Sequence, residues 1–98
     1  MPVELLTSGA HWSMVLDGVV DIFDVAAVHA AALEAVAGAP EGVAVMLGGV
    51  TGVDTAVTLV LLALTRSLAG SGRTCILAEV PPSVLEIWTV AGLAPALT

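Results

Sequence analysis

A chain of 98 residues has room for one hydrophobic core, because at this length only about two-thirds of the unfolded surface is buried. Nine carboxylates stand against Arg66 and Arg73, with no lysine and a net charge of -7. Such a surface repels phosphate backbones and anionic lipid, so nucleic-acid binding and membrane-surface docking are excluded and a basic protein partner is favoured.

The hydrophobic fraction is 58% and the mean hydropathy +1.07, so either the core is unusually apolar or some apolar surface awaits a partner. A membrane span needs roughly 18 or more uninterrupted apolar residues. Val57 to Leu64 is too short and lies between Asp54 and Arg66, and Val43 to Val53 is broken by glycines. Glu4 stands where a cleavable leader would carry basic and then apolar residues, which makes the cytoplasm the expected location. Cys75 is the single cysteine, so neither an internal disulfide nor a thiolate zinc site is expected, and its neighbours Thr74, Ile76 and Leu77 predict a buried strand thiol.

Val3 to Thr7 and Trp12 to Val19 are β-prone runs around Ser8-Gly9-Ala10-His11, the pattern of a hairpin. Asp24 then precedes an alanine-rich helix from Val25 to Val36, which Asp24 is expected to cap and Gly38 and Pro40 to end. Its apolar face is read as Val25, Val28, Ala32, Leu33 and Val36. Val43 to Leu47 reads as a doubly buried strand, and the glycines of Gly48 to Val53 as a loop. Asp54 or Thr55 caps a second helix to about Ala69, stopped by Gly70 and Gly72. Arg73 to Val80 is a strand, and Pro81-Pro82-Ser83 opens a third helix that runs to Ala91. The order β-β-α-β-α-β-α, with right-handed crossovers after an antiparallel hairpin, predicts a single α/β domain over residues 1–98: a small mixed β-sheet covered by helices.

Three segments carry a resemblance: Gly18-Val19-Val20-Asp21-Ile22, Val50-Thr51-Gly52-Val53-Asp54-Thr55-Ala56, and Pro82-Ser83-Val84 to Ala91-Gly92-Leu93. From Gly18 to Leu97 the chain resembles the STAS domain family, named for sulfate transporters and antagonists of anti-sigma factors. The resemblance implies a non-catalytic domain that docks on a protein partner, with Thr55 as the hydroxyl that a cognate kinase phosphorylates and Asp54 as its acidic neighbour. The implied partner is a serine kinase or anti-sigma factor, with a histidine-kinase signalling cluster as a variant. The alternative is an accessory subunit resting on the ATPase of an ABC-type phospholipid transporter. Val57 stands where the family usually has glycine, and Met46-Leu47-Gly48 where it often has Asp-Leu-Ser. Both departures bear on the switch and leave the fold intact.

On a helical wheel Val57, Val60 and Leu64 share a core side flanked by Leu61 and Leu68, while Thr55, Thr58, Leu62, Thr65, Arg66 and Ala69 gather elsewhere. That second side lacks the charged residues of a solvated helix. The expected docking residues are therefore Asp54, Thr55, Val57, Thr58, Leu59, Leu62 and Arg66. The other reading is that the C-terminal segment or a homodimer buries this side.

No cofactor, metal ligand set or catalytic residue is expected. His11 and His29 lie far apart, and in the cluster of Asp17, Asp21 and Asp24 the last reads as a helix cap and the first as an exposed strand position, so no acid/base pair is expected there. Gly48 to Gly52 lacks the lysine of a phosphate-binding loop, and no serine sits in a nucleophile elbow. Trp12 and Trp88 read as core or rim aromatics.

Overall fold

In the computed structural model, which describes residues 3–97, the chain runs β1 (Val3–Leu6), β2 (His11–Val20), a 3-10 turn (Ile22–Asp24), α1 (Val25–Gly38), β3 (Gly42–Val53), α2 (Thr55–Gly70), β4 (Thr74–Ala78), α3 (Pro82–Val90) and α4 (Ala94–Leu97). The sheet order is β1-β2-β3-β4, with β1 antiparallel to β2 and both later pairs parallel. This is the mixed α/β architecture expected from the element order.

Cross-strand register sorts the side chains onto two faces. Val3, Met14, Leu16, Val43, Val45 and Leu47 are all buried, with Cys75 and Leu77 beside them in register. Trp88 and Val84 of α3 join them in one core with Val28 of α1 and Leu61, Leu64 and Leu68 of α2. The opposite face alternates as Glu4, Leu6, Ser13, Val15, Ala44, Met46 and Ile76, all half-buried or exposed. Part of the excess hydrophobicity therefore lies on this uncovered sheet face, with Ile76 56% and Leu6 44% exposed.

Several local expectations need correction. Residues 48–53 are not a loop: they continue β3, which pairs with Asp17–Val20 through two register shifts. Each shift sets an extra β3 residue against β2, the signature of a bulge, and glycine permits it. A β-carbon on Gly49 would collide with the Asp17 carboxylate, and one on Gly48 would stand 2.8 Å from Glu79 Oε2. Asp24 makes no side-chain cap to α1. Asp21 is the capping residue: its Oδ1 accepts from Phe23 N at 2.9 Å, while Asp24 Oδ2 accepts from Asp21 N at 3.0 Å. This reciprocal capping box starts the 3-10 turn one step before the helix. Leu33 is 56% exposed, and the buried positions of α1 are Val28, Ala32 and Ala35.

Arg73 ties the two halves together. Its Nη1 donates to Val36 O at 2.8 Å and Ala39 O at 2.9 Å, so a cation satisfies the carbonyls left unpaired where α1 ends. Cys75 on β4 is half-buried and accepts from the Thr65 hydroxyl at 3.6 Å. Burial pushes its thiol above the ordinary value near 9, and the Thr65 contact only partly offsets this. The native thiol therefore stays protonated at neutral pH, and native protein is expected to react with iodoacetamide far more slowly than urea-unfolded protein. The unfolded thiol ionises first as pH climbs past 9, so this group's contribution to stability is present below that pH and is lost above it. Equal labelling rates in both states, read by mass spectrometry, would contradict this assignment.

Candidate functional site

Among the described residues β1 pairs only with Ser13–Leu16 and β4 only with Gly42–Met46, so the last residues of β2 and β3 pair with each other alone. The chain leaves this two-stranded extension twice, once into the 3-10 turn and once into α2. Asp54 N donates to Val20 O at 3.1 Å, which pins the start of α2 beside the end of β2. Asp54 has the extended backbone of an N-cap, and its Oδ1 accepts from Ala56 N at 2.7 Å, as its position before the helix predicts. Thr55 is the first residue of α2 and its side chain is exposed. Its hydroxyl stands at a helix N-terminus, where amide groups and the helix dipole favour added negative charge.

Below this surface Thr58 is buried. It donates to Asp54 O at 3.1 Å and accepts from Trp88 Nε1 at 3.0 Å, joining the N-cap to α3 by one hydroxyl. Thr58 is the one buried polar residue among the described residues, in a core otherwise apolar.

The burial of α2 redraws the expected docking face. Val57 and Thr58 are buried and Leu62 is only 9% exposed, so these three belong to the domain interior. The reason is that α2 is covered on two sides. The sheet and α1 take Val57, Leu61, Leu64 and Leu68, while Trp88 of α3 and the short α4, which the sequence reading did not include, take the side of Thr58 and Leu62. Burial under the C-terminal segment, the other reading of that side, is what the structure has. The exposed strip of α2 is Thr55, Leu59, Ala63, Arg66 and Ser67. Leu59 lies one turn from Thr55, whereas Arg66 lies three turns and about 16 Å along the axis, so the two are not brought together.

Further exposed apolar side chains stand on neighbouring elements that the helical wheel could not include. Val19 at the end of β2, and Ile22 and Phe23 in the 3-10 turn that packs beside α2, are all exposed, with Phe23 at 90%. Phe23 is the chain's one phenylalanine. The Asp21-to-Asp24 spacing was the available signal, because a capping box on so short a turn leaves its two central side chains outside the fold. From Leu59 the apolar surface continues into a groove of about 270 Å³ between α1 and α2, lined by His29, Leu33, Val36 and Ala63.

Among the described residues no three His, Cys, Asp or Glu side chains converge on a metal position. Among the same residues no helix is long and apolar enough to cross a membrane.

Residues 4–98 match the family model described as Mlab, STAS domain. Among solved structures, the anti-sigma factor antagonist SpoIIAA in its unphosphorylated form superimposes with a TM-score of 0.81 at 21% identity, over 95% of this chain and 83% of that one. The Bacillus cell fate determinant SpoIIAA in its phosphorylated form gives 0.76 at 20% identity, over 95% and 86%. A crystal structure of Mglu gives 0.70 at 20% identity, over 85% of this chain and 21% of that one. At these identities the likeness is one of fold. No curated protein sequence matches.

Proposed function

Because the chain belongs to the STAS family described as Mlab, STAS domain, we propose that it is a non-catalytic regulatory docking domain of the anti-sigma-factor-antagonist kind, acting in the cytoplasm on a kinase or anti-sigma type of partner. The docking surface is Thr55 with Asp54, Leu59, Val19, Ile22 and Phe23, and phosphorylation of Thr55 switches it. One observation carries this reading: an exposed hydroxyl opens a capped helix whose start is hydrogen-bonded to the end of β2 and which touches the 3-10 turn, the two elements that carry the exposed Val19, Ile22 and Phe23. A phosphate there adds roughly 1.5 to 2 negative charges beside Asp54, enough to reject a partner that docks on apolar and neutral groups. Arg66, three turns away, sits at the rim.

The net charge of -7 selects a partner with a basic rim around an apolar centre. A second reading keeps the same surface and gives it a constitutive partner, the ATPase of an ABC-type phospholipid transporter. The matched family model, described by Mlab and not by sigma-factor antagonism, favours it.

The test uses purified candidate partners. With a cognate kinase and ATP, intact mass is expected to show one phosphate on the native chain and none on Thr55→Ala. In calorimetric titration Phe23→Ala is expected to weaken docking by about 30-fold, the effect of losing about 2 kcal/mol at a central aromatic anchor. Docking without any phosphate transfer would select the ATPase reading, and undiminished affinity of the Phe23 variant would remove this surface from the interface.

A further inference from the structure

The helices lie on one face of the sheet, where α1 to α4 bury their apolar sides with Met14, Val45 and Leu47 in a single core. The other face has no such cover. Register sets Val15, Ala44 and Met46 at its centre, with Leu6 and Ile76 beside them on the two edge strands. Val15, Ala44 and Met46 are half-buried, yet none of the three belongs to the core or to the apolar residues packed against it. The strands β2, β3 and β4 run parallel, and parallel strands ordinarily carry helices on both faces. Among the described residues this chain supplies one of those two layers. Carboxylates border the apolar centre. Glu4 stands on the same face in register with Val15, on the β1 side. Asp17, two positions beyond Val15, has its carboxylate over Gly49, and the Glu79 carboxylate lies over Gly48. All of these carboxylate residues are exposed.

We propose that this sheet face receives the apolar side of a basic amphipathic helix from a partner protein. The parallel strands call for a helix: one about 10 Å across spans two strand spacings of about 4.8 Å, and so rests on Val15 and Met46 between Leu6 and Ile76. The border calls for basic flanks. Lysine or arginine on either side of the helix's apolar stripe meets Glu4 along one flank and Asp17 and Glu79 at the end of the strands. A second copy is the wrong occupant, because it brings the same carboxylates and no cation to oppose them. Arg73 is turned onto Val36 O and Ala39 O, and Arg66 belongs to α2 in the opposite layer. The chain has no other arginine and no lysine. Repulsion between like charges therefore works against self-stacking on this face and favours an oppositely charged partner. The face shares no residue with the proposed docking surface of Thr55, Leu59 and Phe23, so it serves a second contact.

Fluorescence anisotropy with labelled synthetic peptides tests the proposal. The probe is an amphipathic helix of about 18 residues built from leucine and lysine, and the control is a leucine–glutamate peptide of the same pattern. The native chain is expected to bind the lysine peptide at least about tenfold more tightly than the glutamate peptide. Ile76→Lys, which sets a cation on the face, is expected to weaken the lysine peptide at least about tenfold, whereas Phe23→Lys, the same change of charge away from the sheet, leaves it within about twofold. Glu79→Gln removes a border charge and no apolar contact, so it is expected to weaken binding about threefold even if Ile76→Lys does not fold. Glu34→Gln, an equal loss of charge on α1, is expected to change little. Absence of lysine-peptide binding would overturn the proposal. So would equal losses from Glu79→Gln and Glu34→Gln, or from Ile76→Lys and Phe23→Lys, the outcomes for attraction by net charge alone. A native dimer in sedimentation velocity that Ile76→Lys dissociates would give the face to a second copy and overturn it as well.

Discussion

Leu62→Asp is expected to abolish cooperative folding, while Leu59→Asp, three residues earlier on the same helix, leaves the urea midpoint almost unchanged. Leu62 is buried with Leu97 and Trp88 in the core, whereas Leu59 is half exposed. Removing the leucine forfeits about 2 to 3 kcal/mol of burial, and a carboxylate set there without a partner adds several kcal/mol more. A domain of this size has about 5 to 15 kcal/mol in total, so the sum takes most of it. Leu59→Asp desolvates nothing in the free domain and stays within about 0.5 kcal/mol, yet it brings a charge into the proposed docking surface. Urea titration followed by far-ultraviolet circular dichroism reads the first effect, and partner titration reads the second. A Leu62 variant with native stability would mean that the contact of α2 with α3 and α4 does not form.

The contrast between these two leucines shows how far the sequence could be read. Periodicity states which residues of α2 share a side, but not how many sides are covered. Leu61, Leu64 and Leu68 were legible as core because they repeat at helical spacing with nothing charged among them, whereas Val57, also expected in the docking set, is buried with them. Thr58 and Leu62 share a second side, and its cover is Trp88 of α3 together with α4, four residues with no periodicity to detect. Capping chemistry was legible at Asp54, where one carboxylate precedes one helix, and misread at Asp24, where two aspartates three apart divide the task between turn and helix. Gly48 and Gly49 carried the signature of a loop because the same freedom serves a bulged strand passing close to Asp17 and Glu79. Phe23 escaped because its exposure depends on a turn geometry that composition does not report. The fold was thus written in local pattern. The proposed docking surface draws on three elements, and of the expected set it keeps Asp54, Thr55 and Leu59, with Arg66 at its rim.

Thr58→Val is expected to cost about 1 to 3 kcal/mol, although the side chains match in shape. Among the described residues the hydroxyl is the acceptor for Trp88 Nε1, so valine leaves a buried N–H without a partner, and that desolvation is not returned. The Asp54 carbonyl is spared, because Thr58 N also donates to it at 3.0 Å. Trp88→Phe removes the stranded donor instead and leaves the hydroxyl bonded to Asp54 O, so its cost is one of lost volume. The double variant should therefore be more stable than the sum of the two single costs predicts, with a coupling of about 1 kcal/mol in a urea-denaturation cycle. Additive costs would mean that the indole and hydroxyl do not bond. The same cycle run on partner binding tells whether the bond matters beyond stability: Thr58 fixes the backbone of the N-cap one residue before Thr55, so Thr58→Val should also weaken docking while Trp88→Phe, which keeps the bond to Asp54 O, should not.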